Sequence, residues 1–221
     1  MNMVFYQQEH IENMLTGIHR SLTNDGLRKL FMKVLKKTVN LLDGLILQME
    51  KKGWHSFPPP YKPLPLGSTE ELGCAEAANL WDHLVIRYDN LHVTEVMSNL
   101  VHDKDFKAVF DMGIELLTKQ INILENECKK YGIALPERPN DVALPKELKL
   151  NFSDKYFYRE LLSGMHGAAL VHAKSFKQST TNHNVRKIFK ELLLTEVEQF
   201  DMFVKFGKIK EWVYPPPRYN P

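Results

Sequence analysis

Apolar residues recur at spacings of three and four along most of this chain, the period of helices with one buried face. A hairpin is predicted over roughly 3–22 and 25–52, followed by helices over roughly 69–101 and 104–131. Two more follow, one capped by Ser153 and one running from about 183 to 210. The stripes predicted to face inward are Trp81, Leu84, Tyr88, Leu91 and Val96, then Phe106, Phe110, Leu117, Ile121, Leu124 and Cys128. In the last two helices they are Leu161, Leu162, Met165, Ala168, Ala169, His172 and Phe176, then Phe189, Leu192, Leu193, Phe200 and Phe203. Helix starts are marked by Asn, Ser and Thr, whose side chains can accept from otherwise unpaired N–H groups. Gly132 provides a residue able to take the left-handed turn at a helix end.

Between Ile133 and Phe152 the chain carries Pro136, Pro139 and Pro145. Extended at about 3.3 Å per residue, such a segment can run the length of a helix that rises about 1.5 Å per residue. That permits the long crossover of ferritin-like bundles. The predicted fold is therefore all-α, with a ferritin-like four-helix bundle over 68–221 and a long crossover between its second and third helices. An α-helical hairpin with a proline-rich strap, over 1–67, precedes it as a half-copy.

The half-copy is visible as a repeat. Shifting the sequence by 158 positions brings Thr23, Asn24, Arg28, Lys29, Phe31, Leu35, Val39 and Asp43 onto Thr181, Asn182, Arg186, Lys187, Phe189, Leu193, Val197 and Asp201. Trp54, Pro58, Pro59 and Tyr61 likewise meet Trp212, Pro216, Pro217 and Tyr219, and so many ungapped identities indicate duplication. Prolines stop each helix and favour an extended segment. Trp54 and Tyr61, and again Trp212 and Tyr219, are expected to fold over a bundle end as structural caps. Truncating either tryptophan is expected to cost about 3 to 5 kcal/mol if the ring is buried. Both segments also fit PPxY, a ligand pattern for the aromatic grooves of WW domains, which makes an adaptor the competing reading.

A lone amphipathic hairpin leaves its apolar face wet. It must pack against its own chain or pair with a second hairpin, and the preferred expectation is a homodimer through residues 1–57. Composition adds exclusions: 43% of residues are hydrophobic and 25% charged, ordinary for a globular protein, and the net charge is only +2. Acids and bases are interspersed without a basic stripe, which argues against nucleic acid as partner. The apolar runs are too short to span a bilayer, and the N-terminal stretch lacks a signal peptide's apolar core. The expected location is cytoplasmic or spore-associated, without secretion by a signal peptide. Cys74 and Cys128 lack CxxC spacing and are expected to be reduced and packed.

A ferritin-like bundle raises the question of iron or manganese. Two cations need bridging carboxylates, commonly with a Glu-x-x-His pattern on two helices, and that pattern does not occur in the sequence. His92, Glu95, His172 and Glu196 nevertheless fall on or near inward stripes at similar depth, and they are the candidate metal ligands. The half-copy has Met14 and Thr38 where the bundle has His172 and Glu196. The structural reading has His172 and Glu196 bonded to each other or to a trapped water, with His92 and Glu95 facing solvent and no cofactor. His10, His19, His55, His102 and His183 are expected to be solvated.

The runs NECKKYGIALP (126–136), TTNHNVRKIFKELL (180–193) and KIKEWVYPPPRY (208–219) resemble an uncharacterised ferritin-like family of spore-forming bacteria related to spore coat protein F. The resemblance implies members with two four-helix bundles in tandem, whereas this chain has one and a half copies, which strengthens the expectation of a dimer. It carries no activity to particular residues. The leading functional expectation is a non-enzymatic, structural or self-associating bundle protein with spore coat proteins as partners. A ferritin-like metal-binding protein or oxidase is the alternative, and a PPxY adaptor the third.

Overall fold

The computed structural model describes residues 2–54, 61–62, 70–139 and 152–214. Among these residues there are six helices: α1 (Asn2–Arg20), α2 (Asp25–Lys51), α3 (Cys74–Ser98), α4 (Lys104–Lys130), α5 (Asp154–Gln178) and α6 (His183–Ile209). Among the described residues there is no strand, and no helix is long and apolar enough to cross a membrane. The crossover expected over 133–152 and both proline straps fall largely outside the described residues, as does Tyr219.

Caps form where short polar residues precede the apolar stripes. Asn24 accepts from the N–H of Leu27 at 3.0 Å, and its repeat counterpart Asn182 accepts from Val185 at 2.9 Å. Asp103 does the same for Phe106 at 3.0 Å. The α3 cap lies at Gly73, later than the expected start near 69; the Glu76 carboxylate reaches back to accept from the Gly73 N–H at 2.8 Å.

The repeated helices also end alike. Gly53 takes a φ of 65° and Glu211, at the equivalent position, a φ of 58°. The next N–H folds back five residues in both copies, Trp54 to the Met49 carbonyl at 2.9 Å and Trp212 to Gly207 at 2.8 Å. Glycine adopts this left-handed turn freely, while a side chain there costs roughly 1 kcal/mol. The burial expected of the cap tryptophans is missing at Trp54, which is 72% exposed. Trp212 is half-buried, edge-on to Phe206 with centroids 5.8 Å apart. A truncation at Trp54 therefore lacks the burial on which the expected loss rested.

Two compact units divide the chain along a line other than 67/68. One comprises residues 1–58 with 159–221, the other 59–158. In the first, α1, α2, α5 from Arg159 and α6 surround one core of Ile11, Leu15, Leu35, Leu42, Phe176, Phe189, Leu193 and Val204. Cross-links fix the ring order. Gln8 and Glu12 on α1 bond Lys177 on α5, α2 and α6 exchange ion pairs, and the short turns join α1 to α2 and α5 to α6. Each helix thus runs antiparallel to both neighbours. The hairpin's apolar face is covered within its own chain, which removes the reason for expecting a homodimer through residues 1–57.

The second unit pairs α3 with α4 around Leu80, Leu84, Tyr88, Phe106, Phe110, Ile121, Leu124 and Cys128. Trp81, expected inward, is 42% exposed, and the buried stripe instead includes His83 and Arg87. Asp154 accepts from the N–H groups of His102 at 3.0 Å and Asp103 at 2.7 Å, tying down the α3–α4 turn.

Candidate functional site

The most developed polar constellation is a reciprocal clamp in the first unit. Arg28 Nε donates to Asp201 at 2.7 Å, and Arg186 Nε donates to Asp43 at 3.0 Å. Both arginines are fully buried. Repeat positions 28 and 186 hold the arginines and 43 and 201 the aspartates, so each copy supplies the acid that the other copy's base requires. The second nitrogen of each fork is used locally: Arg28 Nη2 donates to Asp25 at 2.6 Å, and Arg186 Nη2 lies 3.1 Å from His183 Nδ1. Arg28 Nη1 also donates to the Ser21 carbonyl at 3.0 Å, and Arg186 Nη1 to Glu50 at 3.2 Å. Burial raises the pKa of both Asp43 and Asp201, but Lys190 and Arg186 around the first, and Lys205 and Arg28 around the second, outweigh it and hold both below the usual range. Rigid, planar guanidinium forks suit such buried, multiply bonded positions.

Along the same core His172 Nε2 lies 3.7 Å from Glu196 Oε2, with His172 fully buried and Glu196 nearly so. His92 and Glu95 belong to the second unit, where His92 is half-exposed and Glu95 exposed. Among the described residues no group of three or more His, Cys, Asp or Glu side chains is placed to hold a metal ion.

A histidine pair escaped the sequence reading. His19, expected to be solvated, stacks on His166 with ring centroids 4.0 Å apart and 25° between planes. Leu15, Ile18, Ala169, Val197 and Phe200 line the small apolar cavity beside them. Burial lowers the pKa of both rings, helped by Arg20 at His19 and by His19 at His166. Because the folded state resists protonation that the unfolded chain accepts, stability is expected to fall as pH drops below 6.5 and to level off once the folded rings protonate. Urea midpoints measured across that range should show the decline in wild type and a shallower one in His19→Gln with His166→Gln. A signal was available in the repeat: His19 and His166 are the counterparts of Lys177 and Gln8, and the Gln8 side-chain amide donates to the Lys177 carbonyl at 3.2 Å, so the two contacts are related by the exchange of copies.

In the second unit Glu125 accepts from Tyr88 at 2.7 Å, from Arg138 at 2.5 Å and from Lys129 at 3.1 Å. The Tyr88 hydroxyl leads in lowering its pKa to about 2 against the opposing effect of burial. This is a structural junction that docks the chain after α4. Burial, with Glu127 and Glu125 nearby, pushes the Cys128 thiol up to about 11, whereas Cys74 is exposed. Since the thiolate is the reactive form, maleimide at neutral pH should label Cys74 quickly and Cys128 only after unfolding, as peptide mass spectrometry would resolve. Equal labelling rates in native protein would contradict the packing of Cys128.

The model of a family described as "Protein of unknown function (DUF3231)" matches residues 64–221. The chain belongs to this family. The DUF3231 segment contains α3 to α6 and leaves α1 and α2 outside it, so in this member the first unit combines a hairpin from within the family segment with one from before it. Among solved structures, that of "a putative spore coat protein" from Bacillus halodurans matches with a TM-score of 0.62 and 20% identity over 67% of this chain and 95% of the other. At that identity the likeness concerns the helical fold. No curated protein matches the chain.

Proposed function

We propose that this DUF3231 member is a non-enzymatic helical protein, structural or self-associating, that serves among the proteins of the spore coat. The observation that carries the reading is the fold shared with the Bacillus halodurans protein. A second support is that the buried ionic groups of the first unit are spent on joining its two hairpins, Arg28 to Asp201 and Arg186 to Asp43. Satisfied buried charge networks rigidify a core and hold its helices in register, which suits a structural part. The test is expression of a tagged chain in a spore-forming host, followed by stepwise extraction of purified spores. Recovery with the coat fraction is expected; recovery only from the mother-cell lysate would overturn the assignment.

The ferritin-like metal-binding reading stands second, supported by the approach of His172 to Glu196 in the core and by the apolar or neutral counterparts Met14 and Thr38. A resident dinuclear centre needs several carboxylates and imidazoles. The described side chains bring one of each to this point, which does not fit a dinuclear centre. Elemental analysis of protein grown with iron and manganese is expected to find no stoichiometric metal. Metal present in wild type and absent from His172→Ala with Glu196→Ala would reverse the ranking. For the PPxY adaptor the support is slight: Tyr61, 36% exposed, donates its N–H to the Leu72 carbonyl at 2.6 Å.

A further inference from the structure

We propose that the α5–α6 face covered by the N-terminal hairpin is a pairing surface for a second copy of this chain, and that α1–α2 occupies it as a built-in substitute for that copy. The inference rests on the self-associating reading above, but it is tested by mass in solution, so its failure and a failure of coat incorporation are separate results.

The argument begins with the clamp. Antiparallel packing sets the start of α2 against the end of α6, and the start of α6 against the end of α2. Both helices carry Arg near the start and Asp fifteen positions later, at 28 and 43 and at 186 and 201. If a second α6 replaced α2, its arginine would face Asp201 and its aspartate would face Arg186. The face is therefore self-complementary, the property that a two-fold interface between identical chains requires. Core positions survive the exchange as well: Leu35 and Leu193 are both buried, as are Val39 and Val197. So do the Asn24 and Asn182 caps.

Two features decide which partner wins in the intact chain. The hairpin is tethered to α5–α6 through residues 59–158, so it meets them as an intramolecular partner at a concentration that does not fall on dilution, whereas a second chain's does. Replacing it with a second α5–α6 would also put another His172 and Glu196 where Met14 and Thr38 now stand, which adds polar groups to the core. Both favour the closed single chain. A chain whose hairpin is dislodged should pair through α5–α6.

The experiment uses the full chain. Arg28→Asp with Asp43→Arg sets like charges opposite Asp201 and Arg186 and leaves the α6 face itself unaltered. Light scattering across a dilution series is expected to give one-chain mass, 25.7 kDa, for wild type and twice that for the double variant. Adding Arg186→Asp and Asp201→Arg restores opposite charges within the chain and is expected to return the mass to that of one chain. A milder pair, Arg28→Gln with Asp43→Asn, is expected to give a concentration-dependent mixture. The proposal is overturned by folded double and mild variants that stay at one-chain mass. It is equally overturned if both lose their helical circular dichroism, because the hairpin would then be irreplaceable. A wild-type mass of two chains that the double variant leaves unchanged would place any pairing elsewhere.

Discussion

Arg28→Met should cost the first unit about 3–5 kcal/mol, because removing one partner of a buried ion pair strands the other. Arg28 is fully buried and Asp201 is 7% exposed. Methionine keeps much of the aliphatic volume, so the loss isolates the guanidinium and not a cavity. Three further groups lose a donor: the Ser21 and Leu22 carbonyls at 3.0 and 3.3 Å and the Asp25 carboxylate at 2.6 Å. Lys205, 2.5 Å from Asp201, retains part of the compensation and keeps the loss from growing larger. Guanidinium chloride is unsuited to a charge-based comparison, so urea unfolding followed by circular dichroism is the measurement. A change within about 0.5 kcal/mol, the usual range for surface substitutions, would mean the clamp contributes nothing. The pH response gives an independent check. Asp43 and Asp201 have lowered pKa values in the folded chain, so their contribution is present above 3.8 and lost as pH falls through the folded values; Arg28→Met should remove part of that acid sensitivity.

Phe189→Ala is expected to be as severe, about 3–5 kcal/mol, through lost burial and the cavity left behind. Phe189 is fully buried, whereas its repeat counterpart Phe31 is only half-buried. The same substitution at Phe31 should cost distinctly less, which makes the pair an internal control: equal losses would contradict the described burial. Phe31 has another role, since its ring lies against Gly17 of α1. A Cβ built on Gly17 would stand 2.8 Å from that ring, so glycine at this point lets the two helices approach.

The duplication allows position-by-position comparison within one chain. Where the copies agree, as at Asn24 and Asn182 or Arg28 and Arg186, they serve caps and clamps that any such hairpin pair needs. Where they differ, as with His172 against Met14 or His166 against Gln8, packing alone accepts more than one residue type. The first class accounts for the fold. The second holds the His172–Glu196 approach and the stacked histidines, the places at which this chain departs from its own symmetry.

The sequence by itself determined the helices of the described residues, the Asn24 and Asn182 caps and the repeat, because these depend on interactions within a few turns: a 3.6-residue apolar period, Asn oxygens near helix starts, and prolines or glycine after helix ends. It also placed His172 and Glu196 on inward stripes, and both side chains are buried. Only the tertiary structure decided which hairpins share it. An apolar stripe states that a helix must be covered, and both a second chain and α5–α6 satisfy that demand equally well. The structure likewise decided the partner of each arginine. Arg28 and Asp43 lie fifteen residues apart on one helix, about 22 Å along its axis at 1.5 Å per residue, too far to meet. Antiparallel packing of the second copy is what carries each acid to the other's base. The exposure of Trp54 was settled in the same way: a left-handed turn fixes where the backbone goes after α2, but whether the ring finds a surface depends on what packs there, and at Trp54 nothing covers most of it.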